Sequence, residues 1–223
     1  MSVFELKDVC FSYDGKFQSI KVLKNASCSF EYGKAYAIAG KSGSGKSTAL
    51  MLMAGMDLPK SGEVLFCGEP TSKMKLETYR REKVSVIYQS FRLLPLLTAV
   101  ENVMYPMELR KVAPKEAMER AKELILKVGL PENVFNRFPG MLSGGEQQRI
   151  AIARALAMDT KVMLADEPTG NLDSENSANI IDLLLKLAHE AGYCVIIVTH
   201  DLDVLGKMDF VYKMRDGAFI AQN

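Results

Sequence analysis

The chain has 223 residues, 48% hydrophobic and 25% charged, an ordinary composition for one well-buried core with room for a small subdomain. Lys and Arg number 28 against 27 Asp and Glu, a formal net charge of +1, so nothing pulls the chain generally toward nucleic acid or an acidic membrane surface. The four cysteines (Cys10, Cys28, Cys67, Cys194) are scattered without CxxC spacing and read as free thiols of a reducing compartment, not as a zinc site or disulfide framework. No basic segment followed by an apolar run opens the chain, and no apolar run reaches the ~18–20 residues that cross a membrane.

Strand-like runs fill the N-terminal third: VFELKDV, ASCSF, KAYAIAG, GEVLFCG and KVSVIY. KVMLAD and YCVIIVTH follow near the end, then FVYKM, a turn at Arg215-Asp216-Gly217 and a last short strand. Several are continuously apolar, which predicts central strands covered on both faces. Between them, a helix is expected from Ser47 to Met56 after a glycine loop. Ala117, Ala121, Leu124 and Val128 mark the apolar face of a second helix, and Ile180, Leu184 and Leu187 that of a third. From about Ser90 to Ala157 no strand is expected, so that stretch reads as a helical insertion in an α/β core. The charges of RKVAPKEAMERAKE are its solvated side.

GKSGSGKST, Gly40 to Thr48, fits G-x-x-x-x-G-K-[ST] between an apolar strand and a helix, the context a phosphate-binding loop requires. Gly40, Gly43 and Gly45, with Ser42 and Ser44, let the backbone wrap so that N–H groups point inward at the helix start. Lys46 can reach the β- and γ-phosphates, the Ser47 hydroxyl suits Mg²⁺, and Thr48 suits the α-phosphate. A chance glycine turn would rarely carry both flanking elements, but the loop alone does not separate kinases, GTPases and transport ATPases.

KVMLADEP puts Asp166 at a strand end with Glu167 next to it. Beside a phosphate loop the pair reads as a Mg²⁺-holding carboxylate followed by a general base for the attacking water; alone it would be two solvated acids. His200 ends VIIVTH, where open α/β sheets place their ligands, and can donate to the γ-phosphate. Gln89 ends VIYQ, and its amide can touch both Mg²⁺ and the water.

MLSGGEQQRIAIARALA poses a separate question, because Gly144 and Gly145 open what otherwise reads as a helix. Ser143 is a natural N-cap, and the two glycines leave backbone N–H groups open to a close neighbour. One nucleotide rarely needs two such cradles from one chain, so Ser143, Gly144, Gly145 and Glu146 are expected to grip the γ-phosphate of ATP bound to another copy. A plain cap with a flexible turn is the alternative.

These motifs, in the order GKSGSGKST, Gln89, LSGGEQQR, VMLADE, NLD (Asn171 to Asp173) and His200, resemble the ATP-binding subunits of ABC (ATP-binding cassette) transporters over essentially the whole chain. The resemblance implies one domain over residues 1–223. A P-loop NTPase (RecA-like) core of about 1–89 and 158–223 would carry a mixed sheet, an N-terminal antiparallel β-subdomain and an α-helical subdomain of about 90–157. It implies a cytoplasmic ATPase using ATP and Mg²⁺, a head-to-tail homodimer around two ATP, and a membrane permease on a separate chain at the inner face of the cell membrane. By resemblance Tyr13 stacks on adenine and Asp173 lies at the dimer seam. SFRLLPLLTAVENV and LADEPTGNLDSENS look like the branch of lipoprotein-release, macrolide-export and bacitracin-resistance transporters, which leans toward export or extraction.

The apolar run Phe91, Leu93, Leu94, Leu96 and Leu97 is expected both to offer a groove for a short permease helix, as the resemblance implies, and to pack the insertion, with some of these residues buried and some exposed. SKMKLETYRREK departs from the usual lead-in to Gln89, and Lys41 in the phosphate loop has no evident role. The competing readings are an ABC-type ATPase acting on DNA or ribosomes, and a P-loop kinase or switch. The absence of sustained heptads between Lys46 and Ser143 and the balanced charge disfavour the first, and LSGGEQQR with the carboxylate pair disfavours the second.

Overall fold

The computed structural model describes residues 2–15 and 18–220. Two sheets organise them. Strands β1 (Ser2–Asp14), β2 (Ser19–Glu31), β4 (Ser61–Phe66) and β5 (Glu69–Pro70) form an antiparallel sheet in the order β2-β1-β4-β5. The second sheet runs β10-β9-β3-β8-β7-β6, from β3 (Lys34–Ala39), β6 (Ser85–Tyr88), β7 (Val162–Asp166), β8 (Cys194–Thr199), β9 (Phe210–Arg215) and β10 (Ala218–Ile220). It is parallel except for the antiparallel edge strand β10. The expected mixed sheet and N-terminal antiparallel sheet are both present.

The continuously apolar strands are explained by burial on two sides. Alternate residues of β3, β7 and β8 serve different cores because side chains reverse face at every step. Ala35, Met163, Ala165, Val195 and Ile197 pack with the helices of residues 99–157 and 174–189. Tyr36, Ile38, Leu164, Ile196 and Val198 pack with the antiparallel sheet and the helix after the phosphate loop. Each fully buried valine, leucine, isoleucine or methionine among them is worth about 1.5–3 kcal/mol.

β1 and β2 are longer than the runs VFELKDV and ASCSF suggested. The added part of β2, SIKVLKN, is mostly polar and exposed, with Leu23 its one fully inward residue. Left-handed Asp8 and Asn25 mark irregularities in the β1–β2 ladder.

Helix α1 (Lys46–Met53) ends three residues short of the expected Met56. Gly55 turns left-handed (φ +65), and the Met56 N–H reaches back to the Met51 carbonyl. The charged lead-in SKMKLETYRREK contains a helix that periodicity could not reveal, α2 (Leu76–Glu82). It is too short to repeat an apolar face and is anchored by one residue. Tyr79 is buried against Gly55 and donates its hydroxyl to the Met53 carbonyl at 2.6 Å.

Residues 90–157 contain α3 (Ala99–Leu109), α4 (Pro114–Lys127) and α5 (Gly144–Ala157), and no strand. A Thr98–Glu101 capping box starts α3. In α4 the buried face is Ala117, Ala121 and Ile125, followed by Val128; Leu124 sits at its edge, one step off the expected pattern. Helix α6 (Ser174–His189) buries Ile180, Leu184 and Leu187 as expected, and the short α7 (Leu202–Leu205) follows β8. Among the described residues no helix is long and apolar enough to cross a membrane.

The turn at Asp216 and Gly217 closes the β9–β10 hairpin with both residues left-handed (φ +51 and +87). It also braces the glycine loop. The Gly217 N–H donates to the Ser44 carbonyl at 3.1 Å, and the Gly217 carbonyl accepts from the Lys24 N–H at 2.9 Å. A Cβ at Gly217 would lie 2.3 Å from the Val22 carbonyl oxygen. Gly217→Ala therefore combines strain with a backbone clash and should cost about 2 kcal/mol. Thermal unfolding should show a Tm lower by about 4–8 °C, and an unchanged Tm would mean that the turn is not held this tightly.

Candidate functional site

The glycine loop joins β3 to α1 at the carboxyl edge of the parallel sheet. Gly43 (φ +78) and Gly45 (φ +105) take conformations that L side chains rarely adopt. Gly40 has no room for a side chain, since a Cβ would sit 2.3 Å from the Met214 carbonyl oxygen and 2.7 Å from Ser44 Oγ. Lys46 is 7% exposed, and its Nζ donates to the carbonyls of Gly40 (2.9 Å) and Lys41 (3.1 Å). Ser44 Oγ is buried and, among the described residues, has no hydrogen-bond partner. A loop holding an ammonium and an unpartnered hydroxyl in its wall suits a polyanion.

The cleft over this loop, about 720 Å³, is lined by Gly40 to Gly43, Gly45 to Thr48, Glu167 and His200. Ile20 and Val22 of β2 complete it, two residues that sequence reasoning missed because their run is too polar to announce a strand. Tyr13 pairs with Ile20 in the β1–β2 ladder; the residue is 43% exposed and its hydroxyl stands 3.4 Å from Thr48 Oγ1. An apolar wall beside a phosphate loop suits a flat base.

Asp166 closes β7, and its Oδ1 accepts from Ser47 Oγ at 3.0 Å. Burial raises its pKa, opposed by that hydrogen bond. Among the described residues no trio of His, Cys, Asp or Glu could hold a metal alone. Ser47 and Asp166 fit Mg²⁺, which commonly takes one or two protein oxygens and completes its shell from phosphates and water.

Glu167 is left-handed (φ +46), and the strain is held in place by its own backbone. Its N–H donates to the Val198 carbonyl at 2.9 Å, and its carbonyl accepts from the Gly170 N–H at 3.1 Å. The carboxylate meets His200 Nδ1 at 3.0 Å. Gln89 lines a second cavity of about 420 Å³ together with Glu167 and His200. Its backbone carbonyl accepts from Asn171 Nδ2 at 2.9 Å, and its amide lies where a Cβ on Gly170 would reach within 2.5 Å.

Ser143 to Glu146 line neither of these cavities. Ser143 caps α5 as expected, within a capping box: its Oγ accepts from the Glu146 N–H at 3.3 Å, and the Glu146 carboxylate accepts from the Ser143 N–H at 2.7 Å. What approaches Gly145 closely is internal, since a Cβ there would lie 2.5 Å from Asn176 Oδ1. Asp173 caps α6 and accepts from both the backbone and the side chain of Asn176 at 2.8 Å, which lowers the Asp173 pKa. Asn176 thus links the starts of α5 and α6, a role that an exposed-looking asparagine does not signal in sequence.

An apolar groove of about 320 Å³ lies beside α3, but only Leu94 of the five expected residues lines it. Leu93 packs into the core and Leu96 stands 87% exposed. The groove is walled instead by Met56, Tyr88, Tyr105, Leu109, Arg154 and Met158, brought together from four segments. Asn102, fully buried, shapes its rim by bonding the Leu94 N–H and the carbonyls of Leu94 and Leu97.

A parallel sheet, a glycine loop opening onto a helix, and Asp166 and Glu167 at a neighbouring strand end define a phosphate-loop nucleotide hydrolase. Within that class, the sequence profile of the ABC transporter family matches residues 23–170. An uncharacterized ABC transporter ATP-binding protein of Thermotoga maritima is 44% identical over 218 residues, covering 96% of this chain and 92% of that protein. The uncharacterized ABC transporter ATP-binding protein YclH of Bacillus subtilis is 39% identical, covering 98% and 96%. The ATP-binding cassette MJ0796, in a dimeric post-hydrolysis structure bound to ADP and Pi, superposes with a TM-score of 0.91 at 38% identity, covering 99% of this chain and 97% of that one. The chain belongs to the ABC transporter ATP-binding family, a family of ATPases.

The raised pKa of Asp166 has a stability consequence. The folded carboxyl holds its proton more tightly than the unfolded one, so its ionised form costs stability above the unfolded pKa near ~3.9, and the cost fades as pH falls below it. Asp166→Asn should raise the Tm of the nucleotide-free protein at pH 7 by ~1–3 °C, a small gain because the carboxyl is partly exposed. The gap should close toward pH 4, as thermal scans across pH would show.

Proposed function

We propose that this chain powers a transporter as one of two identical copies paired head to tail. Each of two ATP molecules would lie between the phosphate loop of one copy and the Ser143–Glu146 helix start of the other. The observation that carries this reading is that the chain has two helix starts suited to anions, and they line no common cleft. A single copy then offers each triphosphate only half its surroundings. The dimeric state of MJ0796 with ADP and Pi supports the same arrangement.

In this reading Gly40, Ser42, Gly43, Ser44, Gly45 and Thr48 wrap the phosphates, Lys46 leaves its two carbonyls for the β- and γ-oxygens, and Tyr13 faces the base. Mg²⁺ held by Ser47, Gln89 and Asp166 would neutralise charge between the β- and γ-phosphates. Water attacks the γ-phosphorus, Glu167 takes its proton, and ADP leaves. The 3.0 Å contact of His200 Nδ1 with the Glu167 carboxylate orients the ring beside the base, where His200 is assigned to the γ-phosphate. From the partner copy, Ser143, Gly144 and Gly145 add donors to the γ-phosphate, while Glu146 keeps the Ser143 backbone in place. Asp173, at the exposed start of α6, is assigned to the seam.

The groove beside α3 suits a short amphipathic helix of a permease on a separate chain, with Leu109 (56% exposed) and Tyr105 (41% exposed) at its mouth. That partner would hold the chain at the cytoplasmic face of the membrane, and the branch resemblance favours export or extraction. We also read the chain as one domain, with residues of about 90–157 as the helical subdomain on a core of about 1–89 and 158–223.

A composite site makes hydrolysis depend on pairing, so specific activity should rise with protein concentration and fall on dilution. Constant specific activity across a wide dilution series overturns the reading. Glu167→Gln removes the base but not the cradle; kcat should drop ~10²–10⁴-fold while ATP-dependent dimers accumulate in size-exclusion chromatography. Ser143→Arg should abolish hydrolysis with ATP binding by the monomer retained. Loss of monomer binding would instead assign Ser143 to the fold of its own copy.

A further inference from the structure

The turn after Gln89 is built in a costly way. Phe91 (φ +58) and Arg92 (φ +48) are consecutive non-glycine residues in the left-handed region, which an L side chain disfavours. Its own backbone supplies little to hold it, chiefly the Phe91 N–H donating to the Tyr88 carbonyl at 3.2 Å and a tight bond from the Arg92 N–H to the Ser90 carbonyl. The Arg92 guanidinium lies over the Tyr88 ring, 4.0 Å from its centre.

What pins the turn comes from α5. Arg154, in the last turn of that helix, donates from Nη2 to the Phe91 carbonyl at 3.0 Å and from Nη1 to the Arg92 carbonyl at 2.7 Å. A planar guanidinium fork suits two adjacent carbonyls, whereas a lysine ammonium is a point charge. Among the described residues no carboxylate pairs with Arg154, and withdrawal from water lowers its pKa. A cation so placed is committed to those carbonyls. The start of α5 meets the turn as well, since a Cβ on Gly144 would lie 3.7 Å from Phe91 Cζ.

We propose that Arg154 is a positioning residue of the ATPase site: by clamping the Phe91 and Arg92 carbonyls it fixes the turn that sets Gln89 at the cleft. The inference rests on the reading of Gln89 as a contact of Mg²⁺ and the attacking water. It adds that α5 carries two parts of the composite site as one rigid body, the Ser143 helix start at one end and the Gln89 turn through Arg154 at the other.

The test uses Arg154→Ala and Arg154→Lys in the full chain. It measures kcat, KM for ATP, the Mg²⁺ concentration for half-maximal rate, binding of a fluorescent ATP analogue, and Tm. Displacement of Gln89 should lower kcat on the order of ten- to a hundred-fold in both variants. KM and analogue binding should stay within about two-fold, and half-saturation by Mg²⁺ should shift upward several-fold. The distinguishing measurement is rescue. Arg92→Gly removes the penalty of the left-handed turn, so Arg154→Ala with Arg92→Gly should recover much of the rate.

Unchanged kcat and Mg²⁺ dependence in both single variants overturns the proposal. So does a rate loss that follows Tm or analogue binding and that Arg92→Gly fails to relieve. Should Arg154→Ala not fold, Arg154→Lys with and without Arg92→Gly decides by the same criteria. The two readings can fail separately. A parent enzyme whose specific activity ignores dilution removes the paired-copy function, whereas a cooperative parent with indifferent Arg154 variants removes only the clamp.

Discussion

A nearly buried ammonium governs this molecule. Lys46 sits under the glycine loop with the carbonyls of Gly40 and Lys41 as hydrogen-bond partners, and among the described residues no carboxylate pairs with it. A cation placed this way is tolerable only while oxygen atoms surround it, and it offers its full charge to any polyanion that replaces them. The loop's backbone must therefore be held firmly enough to present those carbonyls, and the surrounding elements do so. Met214 of β9 closes against Gly40, Leu23 and Val22 of β2 close against Gly45, and the β9–β10 turn bonds the Ser44 carbonyl. The antiparallel sheet and the C-terminal hairpin thus act as a frame for the loop.

Backbone strain gathers around the same edge of the sheet. Glu167, Phe91 and Arg92 are all left-handed without being glycine, and each follows a strand of the parallel sheet within a few residues. The strain is over-determined in each case: Val198 and Gly170 hold Glu167, and Arg154 holds the other two. Such placements fix side chains in directions that a relaxed strand end would not give. Glu167 reaches His200, and Gln89 reaches the cavity it shares with both.

The helix start at LSGGE shows how one motif can serve two demands. Its glycines suit an approaching anion, yet Gly145 is also required by Asn176 of the same copy. Asn176 in turn is bound by the cap residue Asp173, so the starts of α5 and α6 are locked together.

Sequence alone determined the elements whose signals are local. The phosphate loop needs glycines, a lysine and a hydroxyl at fixed spacing. The apolar strands need only short runs of consecutive apolar residues, and Ser143 needs only its own short capping pattern. Periodicity also located the buried faces of α4 and α6 to within one residue. Tertiary structure alone decided the rest, because those features are made between segments far apart in the chain. The polar arm of β2 gains its strand from pairing with β1, and α2 gains its helix from one tyrosine packed on Gly55. The apolar groove draws its walls from segments far apart in the chain, and the clamp of Arg154 on Phe91 and Arg92 joins residues about sixty positions apart. A side chain's partner across such a distance is set by how the sheet and helices stack, and no spacing rule along the chain encodes that.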